Sequence, residues 1–493
     1  MASRSKNTFH MGRQTLKIDR LALHGAIRSK VAKMLREASP SQKQGLILLK
    51  AGSPFHIHDT DTEGVFRQES YFHYLFGVTE EDYYGAVNTA CDPPKAILFM
   101  PRLPDSYAVW MGHIDGPEEK QAQYAVDEVH YTEDMADVIS KINPPVIHVL
   151  AGTNSDSDRP STPATFEGIE RYTVDKEHLY PVLQHARAVK TSEEIAIMRF
   201  ANEIASSAHV EVMQACKPGM MEYQLEAIFL GSAYKNGGCR HAPYTPICAS
   251  GPNGSTLHYG HAGAPNDCEV KDGAMMLMDM GSEYYSYDSD ITCSYPANGH
   301  FTPDQKVVYE AVLSAQQAVL GAIKPGVHWP DMHRLAERCI LTGLQKGGFI
   351  KADADIEAAV QERIGALFMP HGLGHLLGID THDAGGYAPG TPPRINEPGL
   401  RSLRTARVLE ENMIVTVEPG CYFNPFLLEP AFQNPAQAKY LGEKRLRECM
   451  DFGGVRIEDD VIVTSAGSET MTNVPRSLED VEMVMAGASW PRK

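Results

Sequence analysis

Four carboxylates in this sequence stand in or at the ends of apolar, strand-like runs. MMLMDMG carries Asp279 into a continuous apolar stretch of the kind expected for a strand covered on both faces, and DSDITCSYP carries Asp290 in the run that follows. VTVEPG sets Glu418 at a strand end, and GGVRIEDD sets Glu458 in another strand-like run. Burying a lone carboxylate is expensive, and two that face each other repel unless a proton or a cation lies between them. Positions 279 and 290 have the parity that places two residues directly opposite across a hairpin with an even loop, which predicts both acids on one face. PHGLGHLLGIDTHD adds His371, His375 and His382. Carboxylates outnumber imidazoles, a set that suits hard or borderline divalent ions such as manganese better than a thiolate-type zinc site.

Taken singly, each residue has a plainer reading. An isolated acid near a strand end is commonly a turn residue or a surface charge. HGLGH lacks the glutamate of HExxH and its two glycines weaken a helix, so it reads equally as a loop with one core histidine. Four acids in matched contexts, beside a segment with three histidines, tip the balance toward a metal or acid-pair site.

The elements that must position these groups fall into two stretches. Up to residue 187, the runs GLILL, AILFM and VIHVL alternate with helix-like segments, as in a small α/β domain, and SDSDRPSTPATFEG reads as surface loop. A second domain is expected over 188–493. It opens at Thr191-Ser192-Glu193-Glu194, which has capping-box form, with a helix that stops at Lys217-Pro218-Gly219. The order helix, KPG, helix, glycine pair then returns around Lys324-Pro325-Gly326 and Gly347-Gly348. Asp272-Gly273 leads through a strand to Asp279 as Glu411-Asn412 leads to Glu418. An internal duplication with two-fold pseudosymmetry is therefore predicted.

Composition narrows the function classes. The chain has 493 residues, 43% hydrophobic and 22% charged, the balance of a folded globular protein. A formal charge of −18 repels phosphate backbones and anionic lipid, which argues against nucleic-acid and membrane partners. No run approaches the roughly 18 apolar residues of a membrane span. The nine cysteines form no CxxC pair and fit reduced thiols in a cytoplasmic protein.

Asp279, Asp290, His375, Glu418 and Glu458, in this order, resemble the ligand set of the pita-bread metallopeptidases, the family that includes methionine aminopeptidase, aminopeptidase P and prolidase. LHYGHAGAPND, FMPHGLGHLLGID, GLRSLRTAR, TVEPG, FGGVRIEDD, FRQESYFHYLFGVTE and PRLPDSYAVWMG are similar to the prolidase branch and extend the likeness over nearly the whole chain. The resemblance implies an α/β (α+β) architecture, with a creatinase-type N-terminal α/β domain over 1–187, a pseudo-two-fold pita-bread catalytic domain over 188–493, and a homodimer. It implies a metal-dependent hydrolase of dipeptides that end in proline, with two divalent ions, Mn2+ foremost. Asp279 would hold one ion, His375 and Glu418 the other, with Asp290 and Glu458 bridging them. A hydroxide shared by the ions would attack the scissile carbonyl, and Glu418 would move the proton. His371 and His382 would stabilise developing charge or orient substrate. Arg404, with His258 and His382, would take the substrate carboxylate, ahead of Arg401 and Arg407. Tyr244 and Arg456 would orient the ligands, and Trp110 would reach toward the other subunit's site. The rival expectations are an aminopeptidase P acting on longer peptides, a partner-binding protein of the same fold without catalysis, and a metal-free creatinase-like hydrolase.

Overall fold

The computed structural model describes residues 7–38, 45–261, 263 and 265–491, and the chain divides into two compact units, residues 1–197 and 198–493. In the first unit the apolar runs become strands of a six-stranded mixed sheet: β1 Leu46–Lys50, β2 Tyr84–Asn88, β3 Lys95–Met100, β4 Glu128–Tyr131, β5 Ile147–Val149 and β6 Val174–Asp175. Their order is β4-β3-β2-β1-β5-β6, antiparallel from β1 to β3 and parallel elsewhere. Leu46, Leu48, Ile97, Phe99, Ile147 and Val149 supply an apolar core on one face. Helices α1 Arg20–Ala38 and α2 Leu179–Ala188 belong to the same unit.

The helix α3, Ser192–Ala215, starts with the reciprocal cap read from the sequence. The Thr191 amide donates to the Glu194 carboxylate at 2.8 Å, and the Thr191 hydroxyl accepts from the Glu194 amide at 3.3 Å. Gly219, at φ 90°, turns the chain into α4 Glu222–Gly237, which closes on Gly238 at φ 69°. The second copy follows the same plan: α5 Pro303–Ala322, Gly326 at φ 89°, α6 Trp329–Lys346 and Gly348 at φ 77°.

Strands repeat as well. The first half contains β7 Ile247–Ser250, β8 Met275–Asp279, β9 Glu283–Tyr284, β10 Tyr287–Asp288 and β11 Thr292–Pro296. The second contains β12 Ile414–Val417, β13 Gly420–Tyr422, β14 Gly454–Arg456, β15 Asp459–Thr464 and β16 Gly467–Thr470. Gly273 and Asn412, at φ 75° and 67°, introduce the equivalent strands β8 and β12. Strand β8 lies between β7 and β11; β12 pairs with β15, and on its other side bridges Leu376 through Val415. The amides of Gly219 and Gly326 donate to the carbonyls of Val270 and Leu409 at 2.8 and 2.9 Å. The pseudo-two-fold relation thus reaches individual backbone hydrogen bonds.

One expectation needs correction. Asp279 pairs with Thr292, not with Asp290. The ladder continues in the same register through β9 and β10 to Tyr285-Ser286, two left-handed residues at φ 51° and 61° that make the tight turn. Asp290 is therefore two residues along from the partner of Asp279, a diagonal neighbour that keeps the same face. Between them Gly281 allows close approach, since a Cβ there would meet the Ser289 carbonyl oxygen at 2.0 Å. Among the described residues no helix is long and apolar enough to cross a membrane.

Candidate active site

Three side chains, Asp290, His375 and Glu458, bring one donor atom each to within 4.8 Å of one another, and all three are buried. His375 Nε2 lies 3.4 Å from Asp290 Oδ2 and 3.5 Å from Glu418 Oε1. Its Nδ1 lies 3.0 Å from the Leu376 carbonyl, which can only accept, so the ring carries its proton on Nδ1 and turns a lone pair on Nε2 toward the acids. HGLGH is a loop, not a helix. It runs so close to β12 that a Cβ on Gly374 would meet the Thr416 carbonyl oxygen at 2.0 Å. The Thr416 hydroxyl accepts from the His375 amide at 3.0 Å and lies 3.3 Å from Glu418 Oε1.

Arg456 ties the remaining acids together. Its guanidinium pairs with Asp279, lies 3.9 Å from Glu458, donates from Nε to the Thr292 hydroxyl at 3.0 Å and from Nη1 to the Tyr422 hydroxyl at 2.8 Å. Thr292 in turn donates to Glu458. Tyr422 reaches His371 Nε2 at 3.0 Å, while His371 Nδ1 lies 2.7 Å from the Gly372 carbonyl and 3.7 Å from Glu418. Both ring nitrogens of His371 are thereby engaged. Burial, followed by the Arg456 charge, pushes this imidazole down to about 3, so it stays neutral. Tyr244 has its buried hydroxyl among Asp279, Asp290 and Glu458, and burial plus those charges hold the phenol protonated.

His382 stacks edge-on against His375 with ring centroids 4.6 Å apart. His382 is exposed to solvent. The surrounding protein, then His375, Arg404 and His258, hold it well below the usual imidazole range. His258 is lowered too, by burial first and then by Arg404 and Arg456. Two neutral imidazoles and a guanidinium therefore share one electrostatic neighbourhood. Arg407 is committed to structure, donating to the Gly385 carbonyl at 3.1 Å and to Glu410 at 2.9 Å, and Arg401 is exposed. Trp110 stands in the first unit on the short helix Ala108–Met111, 83% exposed.

The donor set can be tested against a metal directly. Asp279 Oδ1 is buried without a hydrogen-bond partner. Burial and mutual repulsion lift Asp279, Glu418 and Glu458 above the usual carboxylate range, although Arg456 opposes this for all three. Burial opposes charge on His375, but Asp290 and Glu418 outweigh it and raise the imidazole. Four acids around one guanidinium, with an oriented imidazole lone pair, lack positive charge, and divalent cations fit that deficit.

Thr292, Thr416 and Tyr422 went unread in the sequence. The two-residue period of a strand could have found them: Thr292 is two residues from Asp290, Thr416 two before Glu418 and Tyr422 four after it.

Comparison with known proteins settles the lineage. The model of metallopeptidase family M24 matches residues 196–465, and that of the aminopeptidase P N-terminal domain matches residues 24–147. This chain belongs to metallopeptidase family M24. M24 membership implies divalent metal ions, and it makes the second unit a pita-bread domain behind a creatinase-type first unit. Among curated M24 relatives, Xaa-Pro dipeptidases of Mus musculus and Homo sapiens are each 50% identical to it over 487 residues, covering 99% of this chain and 98% of theirs. A probable Xaa-Pro aminopeptidase of Botryotinia fuckeliana is 36% identical, covering 92% and 95%. Zinc-substituted aminopeptidase P of Escherichia coli in complex with product superposes with a TM-score of 0.74 at 28% identity, covering 93% of this chain and 98% of that one.

Proposed function

We propose that this M24 chain is an Xaa-Pro dipeptidase that uses two divalent ions, Mn2+ foremost. The observation that carries this is the convergence of Asp290, His375 and Glu458 beside Asp279 and Glu418. Near-full-length likeness to Xaa-Pro dipeptidases supports it. Asp279 would hold one ion, His375 and Glu418 the other, and Asp290 and Glu458 would bridge. When bound, such a pair activates water at neutral pH and polarises the scissile carbonyl.

The chain's own residues do the rest. Glu418 would accept a proton from the attacking water and return one to the leaving imino nitrogen. His371 is locked by Gly372 and Tyr422, so it acts by fixing the loop beside Glu418. Kept neutral, His382 and His258 can accept or donate a hydrogen bond without repelling a cation. Arg404 supplies the planar fork that a proline carboxylate requires. Tyr244, as a protonated phenol, and Arg456 orient the acids.

Arg404 also separates this reading from an aminopeptidase P. The protein is expected to hydrolyse Gly-Pro faster than Gly-Pro-Ala, and Arg404→Met to raise KM for Gly-Pro about tenfold or more while sparing kcat. Faster cleavage of the tripeptide would transfer the assignment to the aminopeptidases. Full turnover of Gly-Pro after exhaustive chelation would favour the metal-free alternative.

Homodimerisation belongs to the same proposal. Val109, Trp110 and Met111 form an apolar tip too exposed for an isolated surface, which supports its burial by a second copy and a role for Trp110 at that copy's site. Light scattering is expected to give twice the 54.3 kDa chain mass, with Trp110→Asp shifting the population toward monomer. A monomer at micromolar concentration would end this part. Nine free cysteines support a reducing, cytoplasmic setting.

A further inference from the structure

Outside the ligand cluster, one buried carboxylate gathers an unusual number of donors. Glu222, the first residue of α4, is fully buried. Its Oε1 accepts from the Ser250 amide at 2.7 Å, the Ser250 hydroxyl at 2.6 Å and Asn253 Nδ2 at 3.2 Å. Its Oε2 accepts from the Tyr259 hydroxyl at 2.8 Å and the Cys268 amide at 3.2 Å. A carboxylate offers about four lone-pair sites, so this one is saturated. All five donors come from the chain on either side of His258, and Tyr259 is its immediate neighbour.

The duplication supplies a counterpart. The amide of Glu222 donates to the Cys268 carbonyl at 2.9 Å, and that of Trp329, first residue of α6, donates to the Arg407 carbonyl at 3.0 Å. Positions 222 and 329 are thus equivalent in the two halves. Trp329, also fully buried, spends its side chain on a loop of its own half: its Nε1 donates to the Gly374 carbonyl at 3.0 Å, next to His375.

We propose that Glu222 is a positioning residue for substrate recognition, holding the loop that presents His258, while its pseudosymmetric counterpart Trp329 holds the loop that presents the metal-binding His375. The duplicated helix start has diverged into a substrate clamp in one half and a metal clamp in the other. Glu222 touches neither substrate nor the acid cluster; it acts through Ser250, Asn253 and Tyr259. A glutamine there keeps the shape but turns an N–H toward donors that need an acceptor, so the loop must shift.

The proposal rests on the dipeptidase reading, and its test uses full-length protein loaded with Mn2+. Glu222→Gln is expected to raise KM for Gly-Pro about tenfold, with kcat and the Mn2+ dissociation constant within about twofold of wild type. Trp329→Phe is expected to do the reverse, weakening Mn2+ binding about tenfold with little change in KM. Tyr259→Phe, a milder lesion on the same loop, keeps the question open to measurement should Glu222→Gln fail to fold. It is expected to raise KM in the same direction, less than additively with Glu222→Gln. A spectrum of 13C-labelled histidine on the diamagnetic Zn2+ form should show the His258 signal displaced and the His375 signal unmoved in either loop variant. That measurement needs no turnover, so an inactive wild type would defeat the dipeptidase reading while the spectrum still decides the clamp. Wild-type KM in both loop variants, an unmoved His258 signal, or a loss of Mn2+ affinity in Glu222→Gln matching that of Trp329→Phe would overturn the proposal.

Discussion

Asp290→Asn is expected to lower kcat/KM for Gly-Pro by about 10^3-fold or more, equivalent to about 4 kcal/mol of transition-state stabilisation. The argument is electrostatic and geometric together. Asp290 is the acid nearest His375 Nε2, and its backbone amide is pinned by the Asp460 carboxylate at 2.9 Å, so the side chain cannot swing away to be replaced by another. Asparagine fills the same volume but removes one negative charge and half of the carboxylate's acceptor capacity. A site that holds cations chiefly by charge should then lose metal as well as rate, and metal analysis of the purified variant should register the loss.

Stability gives a readout independent of turnover. A ligand at 100 times its dissociation constant adds about 2.7 kcal/mol to the folded state. Wild type should therefore melt higher with Mn2+ than with chelator, and Asp290→Asn should lose most of that difference. Without metal the variant should be no less stable than wild type, because a charge has been withdrawn from a cluster in which Asp279, Glu418 and Glu458 already repel one another. Undiminished stabilisation by Mn2+ together with activity within tenfold of wild type would show that Asp290 does not bind the ions.

The same cluster marks how far the sequence could be read. Apolar runs ending in acids pointed to Asp279 and Glu418, since burying a carboxylate without a partner is expensive. The KPG turns with their helices exposed the duplication, because glycine at φ near 90° is a backbone requirement that leaves a mark in the sequence. Strand parity placed Asp279 and Asp290 on one face, and any even loop preserves parity. Register did not follow, because it depends on where the turn falls. Tyr285-Ser286 has none of the Asn-Gly character that advertises a two-residue turn, so the hairpin runs on beyond the point at which the sequence suggested it closed. Glu222 and Trp329 were invisible for a different reason. Each acts on a segment distant in the chain, and a glutamate or a tryptophan at a helix start looks like ordinary amphipathic composition until the partner loop is in place.

Arg456→Met is expected to destabilise the metal-free protein by about 3–5 kcal/mol, the usual consequence of removing one partner from a buried ion pair. Arg456 is 4% exposed and answers Asp279, Thr292 and Tyr422 at once. Its own charge is favoured by Tyr422, Asp279, Glu458 and Glu418, which together overcome the burial that opposes it. Methionine fills the stem but leaves Asp279 without its counter-charge and Tyr422 without its donor, and through Tyr422 it loosens His371. Calorimetry in chelator should record a melting temperature lower by about 5–8 °C for a unit of this size. The predicted sequence of failure also distinguishes a charge effect from a packing effect. Arg456→Lys keeps a positive charge near Asp279 but cannot serve three partners from one planar group, so it should recover part of the stability while leaving kcat low. If methionine costs less than about 1 kcal/mol, or lysine restores both stability and rate, then Arg456 is not the organising cation of the acid cluster.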